Sequence, residues 1–70
     1  MRKVAEASVG WLPELATRPQ VAAYTQTSVP TLARWAAEGQ GPKVTKLGGV
    51  VRYRREDVLT WIAEAGATAL

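Results

Sequence analysis

TRPQVAAYTQTSVPTLARWAAEG, residues 17–39, contains two helix starts separated by a very short connection. Thr17 followed three residues later by Gln20 has the form of a capping box, in which hydroxyl and amide side chains satisfy free backbone groups of the first turn. Pro19 falls inside that turn, where its missing N–H is harmless. The spacing predicts a helix from Arg18 to Tyr24 or Thr25 with Val21 and Tyr24 on one face. Ser28 is a second N-cap, again with a proline, Pro30, in the first turn. Val29, Leu32, Trp35 and Ala36 then follow a helical stripe, and Gly39 supplies a left-handed stop. Only Thr25, Gln26 and Thr27 lie between the two helices, the spacing of a helix-turn-helix.

Downstream, Gly41 and Pro42 break the chain, and Lys43 to Arg54 alternates as two strands would around Gly48-Gly49. A two-residue loop there pairs Leu47 with Val50 and Lys46 with Val51, mixing charged and apolar side chains. A three-residue loop through Val50 pairs Leu47 with Val51, Lys46 with Arg52 and Thr45 with Tyr53, which sorts one apolar face from one basic face. The second register is the expected one. Its like-charge pair, Lys46 opposite Arg52, costs stability unless solvent screens it or an anion lies between. From Arg55 a third helix is expected, with Glu56 and Asp57 in its first turn, Val58, Trp61, Ile62 and Ala65 as its apolar stripe, and Gly66 as its end.

Upstream, residues 1–14 scatter Val4, Val9, Trp11 and Leu12 without a period, leaving two readings: a disordered tail, or an extra element that lays Trp11 on the domain. The expected organisation is an N-terminal arm over 1–14, one domain over 15–66 and a frayed tail over 67–70. Its fold class is mainly α with a small β-hairpin: a helix-turn-helix, a two-stranded wing and a C-terminal helix.

Composition narrows the function. With 70 residues there is room for one small core, and without cysteine or histidine there are no disulfides, thiolate or imidazole metal sites, or His-dependent nucleophiles. An enzyme is not expected, nor a metal, a cofactor or a small-molecule substrate. No apolar run approaches the roughly 20 residues of a membrane span, and Met1 to Leu12 lacks the apolar core of a secretion signal. A cytoplasmic protein is expected. The net charge of +3 is unevenly placed: Lys43, Lys46, Arg52, Arg54 and Arg55 share one stretch without an acid, and the remainder of the chain is net negative. Such asymmetry suits a polyanion partner.

On the second helix Leu32, Trp35 and Ala36 are expected to face the core, leaving Pro30, Thr31, Ala33, Arg34, Ala37 and Glu38 for the other faces. A helix fits a major groove about 12 Å wide, and a basic ribbon can lie along phosphates or reach the adjacent minor groove. Arg34 can bind guanine bidentately or a phosphate; its bland alternative is an i,i+4 pair with Glu38. Thr31 offers a hydroxyl to a phosphate or a methyl to thymine. Trp35, Trp61 and Tyr53 read as packing residues rather than stacking platforms.

Val21-Ala22-Ala23-Tyr24, Ser28 to Trp35, Gly41 to Gly48, Val51 to Val58 and Trp61, in this order and spacing, resemble the excisionase and AlpA-like group of winged helix-turn-helix proteins, related to MerR DNA-binding domains. The resemblance covers about Leu15 to Ala65. It implies a phage or mobile-element protein of the bacterial cell that binds double-stranded DNA through the second helix and the wing. In excisionases several copies often bind side by side, bend the DNA and steer an integrase toward prophage excision, while related members are transcription regulators; the resemblance implies one of these roles here. Carried over by position, the helix offers Thr31 and Arg34 and the wing offers Lys46, Arg52 and Arg54, while Arg55 either touches phosphate or only flanks the third helix. Ser28, Pro30 and Lys43 complete the candidate DNA-binding set. There are two departures from the family pattern. Gln26 stands where the family commonly has glycine, so either a left-handed non-glycine is tolerated or the turn differs. The wing tip reads Gly49-Val50 where arginines are common, which favours phosphate contact by the strands over minor-groove insertion by the tip. A reading of another class is a protein-interaction module with a basic face.

Overall fold

The Thr17 hydroxyl accepts the backbone N–H of Gln20 at 3.2 Å, and the Gln20 side-chain oxygen accepts the N–H of Thr17 at 2.9 Å. The capping box is closed, and α1 (Arg18–Thr25) follows it in a computed structural model that describes residues 11–68. α1 ends on Gln26 at φ 58°, ψ 40°. The Gln26 N–H donates to the Ala23 carbonyl and the Thr27 N–H to the Ala22 carbonyl, a Schellman closure built on a non-glycine. Of the two possibilities left open at Gln26, the left-handed residue is the one observed.

Ser28 caps α2 (Val29–Ala37) by accepting the Thr31 N–H on its hydroxyl at 3.2 Å. The far end is a second Schellman closure, with Gly39 at φ 75° and the Gln40 N–H donating to the Trp35 carbonyl at 2.7 Å. Gly41 lies against Trp35 so closely that a Cβ there would stand 3.0 Å from the Trp35 Cβ. Together with a φ of 78°, this crowding favours glycine where the chain leaves α2 for the hairpin.

The hairpin consists of β2 (Thr45–Leu47) and β3 (Val50–Arg54). Leu47 pairs with Val50, Lys46 with Val51 and Thr45 with Arg52, so the register expected from face sorting is corrected to the two-residue one. The turn chemistry decides it. Gly48 and Gly49 both hold positive φ, as a tight turn matched to the strand twist requires. A three-residue loop of the common kind would place its last residue, the β-branched Val50, in the left-handed region. Lys46 and Arg52 thus lie on opposite faces, and the anticipated like-charge pair does not exist.

A strand not anticipated, β1 (Leu15–Ala16), pairs antiparallel with β3, Leu15 with Arg54 and Ala16 with Tyr53, giving the sheet order β1-β3-β2. The Arg55 N–H donates to the Glu14 carbonyl at 2.9 Å, which also satisfies an amide at the start of α3 (Arg55–Thr68). Leu12, 2% exposed, enters the core, whereas Trp11 is 59% exposed. The element laid on the domain is therefore carried by Leu12. Residues 1–10, including Val4 and Val9, and residues 69–70 lie outside the described residues.

α3 runs through Gly66, which does not adopt positive φ and so does not end it. Its alanine neighbours are strong helix formers and carry the helix on. The core comprises Leu12, Ala16, Val21, Ala22, Leu32, Tyr53 and Val58, with Tyr24, Trp35, Val44 and Val51 packed against it. Trp35 and Trp61 meet with ring centroids 5.4 Å apart at 48°, packing on each other as expected. The architecture is a winged helix-turn-helix.

Gln26 is exposed, so substitutions there act through backbone strain rather than packing. Gln26→Gly is expected to raise the unfolding free energy by about 0.5–1 kcal/mol and Gln26→Val to lower it, as read from thermal melts. The order Gly, Gln, Val in melting temperature is the check.

Candidate nucleic-acid interface

The outward side of α2 begins with its cap. The Ser28 hydroxyl donates to Thr31 Oγ1 at 2.9 Å, so Ser28 is engaged within the helix start, while the proton of Thr31 remains available to an outside acceptor. Pro30 is exposed beside it and Thr31 is half-buried. Arg34, one turn further on, is exposed and forms no ion pair among the described residues. The i,i+4 pair with Glu38 is not formed.

On the hairpin the corrected register distributes the cations over both faces. Arg52 shares the outward face with Thr45, Leu47 and Val50, and its guanidinium donates to the Val51 carbonyl at 2.8 Å. Arg54 is exposed beside β1, and Lys43 is exposed just before β2. Lys46 shares the inward face with Val51. Leu47 and Val50, each 45% exposed, make the tip apolar.

Arg55 is employed internally. Its guanidinium donates to the Leu12 carbonyl at 3.0 Å and meets the Glu14 carboxylate at 3.1 Å. Of its two possible roles, flanking the third helix is the one for which the geometry supplies partners.

Between α2 and the inward face of the hairpin lies a cleft of about 400 Å³, lined by Arg18, Ala33, Ala36, Ala37, Val44, Lys46 and Val51. Ala36, expected on the core side, is half-buried and lines it. Arg18 was not legible as a site residue. At the first turn of α1 its local pattern signals only a helix start, and its Nε donates to the Tyr53 hydroxyl at 3.0 Å across 35 residues of sequence. No local signal could have found it.

Among the described residues no group of carboxylates could hold a metal ion, and no helix is long and apolar enough to cross a membrane. A family model described as a helix-turn-helix domain matches residues 17–66. The chain belongs to that family. The assignment agrees with the resemblance to the excisionase and AlpA-like group. No curated protein and no solved structure matches the chain.

This helix-turn-helix domain is a DNA-binding one, and its second helix is α2. The matched span begins at the capping residue Thr17 and includes the whole hairpin, so the helix pair and the wing are parts of one domain.

The tether at Arg55 yields a separable expectation. Arg55→Ala is expected to lower stability by about 0.5–1.5 kcal/mol, chiefly by removing the part-buried hydrogen bond to the Leu12 carbonyl, since the exposed ion pair with Glu14 contributes little. At a temperature where the variant is folded, the salt dependence of DNA binding should match that of wild type. A shallower slope would place Arg55 on phosphate.

Proposed function

We propose that this protein is a sequence-specific double-stranded DNA-binding factor of the excisionase type, which bends DNA as several adjacent copies and directs an integrase toward prophage excision in the cytoplasm of a bacterial host. The observation that carries the reading is the set of cations without a counter-charge on α2 and the hairpin. Arg34, Lys43, Lys46, Arg52 and Arg54 form no ion pair among the described residues. In this reading α2 enters the major groove with Arg34 and Thr31 on base edges or phosphate, and with Ser28 and Pro30 at its entry. Lys43, Lys46, Arg52 and Arg54 take phosphates along the adjoining backbone.

Cooperative binding follows from the scarcity of readers. One strong base-reading side chain on one short helix discriminates weakly, and neighbouring copies raise occupancy through effective concentration. The role is that of a non-enzymatic architectural protein.

Three measurements test this. If the four hairpin cations each neutralise a phosphate, they should contribute about −3.6 to the slope of log K against log salt. A flat response would instead make the basic face a protein-docking surface. Arg34→Ala should relax sequence preference at a cost of about 1–3 kcal/mol, whereas Arg52→Ala should weaken all sequences alike and shallow the slope by about one unit. Permuted-site gel shifts on attachment-site DNA should show stepwise loading and bending; a single unbent operator complex would make the protein a transcription regulator.

A further inference from the structure

We propose that the cleft between α2 and the hairpin is a seat for one sugar-phosphate strand, and that Arg18 is its phosphate-binding residue. The inference rests on the docking proposed above. If α2 occupies a major groove and the hairpin the neighbouring edge or minor groove, the strand that separates those grooves passes between the two elements. The cleft is the space between them.

Its walls suit a backbone. The α2 side is formed by Ala33, Ala36 and Ala37, of which Ala37 is exposed. Core packing gives no reason for alanine at an exposed position. Three methyl groups in place of longer side chains leave the cleft open and let a bulky strand approach the helix. Val44 and Val51 form the opposite wall and match the apolar faces of deoxyribose.

The charged groups lining the cleft are Arg18 and Lys46. Arg18 is half-buried and meets no carboxylate among the described residues. Its Nε donates to the hydroxyl of Tyr53, a side chain 1% exposed and held by the core. That bond uses one of five guanidinium donors and leaves the two terminal nitrogens, with four N–H groups, for an anion. An arginine fork oriented in this way suits bidentate phosphate binding. Lys46 reaches the cleft because the two-residue turn puts it on the inward face. The Arg18 guanidinium carbon lies 5.9 Å from the centroid of the Tyr53 ring but faces no carboxylate among the described residues, and a phosphate in the cleft would supply the counter-charge.

The test is fluorescence anisotropy of the full chain on a target duplex and a random duplex, between 50 and 200 mM salt. Circular dichroism melts check that each variant is folded. Arg18→Gln should weaken binding to both duplexes alike and lose roughly three- to fourfold less affinity than wild type over that salt range. If the Gln variant melts at the assay temperature, Arg18→Met, which keeps the aliphatic stem, gives the same readout. Ala37→Leu, neutral and on an exposed helix position, should weaken both duplexes by filling the cleft. Wild-type affinity and slope in the Arg18 variant, with Arg52→Ala still impaired, would overturn the seat and leave DNA binding standing. Loss in the Arg18 variant with full binding by Ala37→Leu would also overturn it, because the charge would then act from outside the cleft. Salt-independent binding by wild type would remove the docking itself.

Discussion

Tyr53 sits on the central strand of the sheet, 1% exposed, and three separate parts of the chain meet it. Its backbone pairs with Ala16 of β1, its ring fills the core beside Leu32 and Val58, and its hydroxyl accepts a hydrogen bond from Arg18 of α1. A domain of this size has little stability to spare, and truncating a buried aromatic costs about 3–5 kcal/mol, comparable with the whole. The placement of the hairpin against the helices therefore depends on this side chain. Because β3 continues directly into α3, the same residue sets where the third helix begins.

What could be read in advance was what local chemistry specifies. Thr17 with Gln20, Ser28 and Gly39 each act within a turn of their own position, and each cap forms as the residue types require. The hairpin register, by contrast, is decided by turn stereochemistry and not by face sorting. Two glycines at positive φ outweigh the cost of setting Lys46 opposite Val51, since a lysine can cover apolar surface with its stem and keep its ammonium in water. β1 is two residues long, too short to show a period, and exists only because β3 offers it an edge. Arg18 becomes a candidate only through its contact with Tyr53, 35 residues away, whereas Arg34, Lys43 and Lys46 stand out in sequence as charges on the predicted second helix and wing.

The corrected register also changes what the wing contributes before any ligand arrives. With Lys46 and Arg52 on opposite faces, the hairpin carries no like-charge pair that an anion must relieve. It can therefore stand preformed in the free protein, and binding bears less ordering entropy than a wing folded on DNA would. Its apolar tip, Leu47 and Val50, is flanked on the same outward face by Arg52, so the cations line the sides of the ribbon rather than its end.

The alanines of α2 connect these features to specificity. A helix surface can carry long side chains that read bases or short ones that admit the backbone closely, and Ala33, Ala36 and Ala37 are of the second kind. On the proposed docking, close approach brings the strand within reach of Arg18 and Lys46 from opposite sides, so the protein grips the backbone at a point where groove width matters. Discrimination then comes as much from the ease with which a sequence adopts that width and curvature as from Arg34. On the proposed function, selectivity would be gained by deforming DNA, and several adjacent copies would sum small deformations that one copy could not sustain alone.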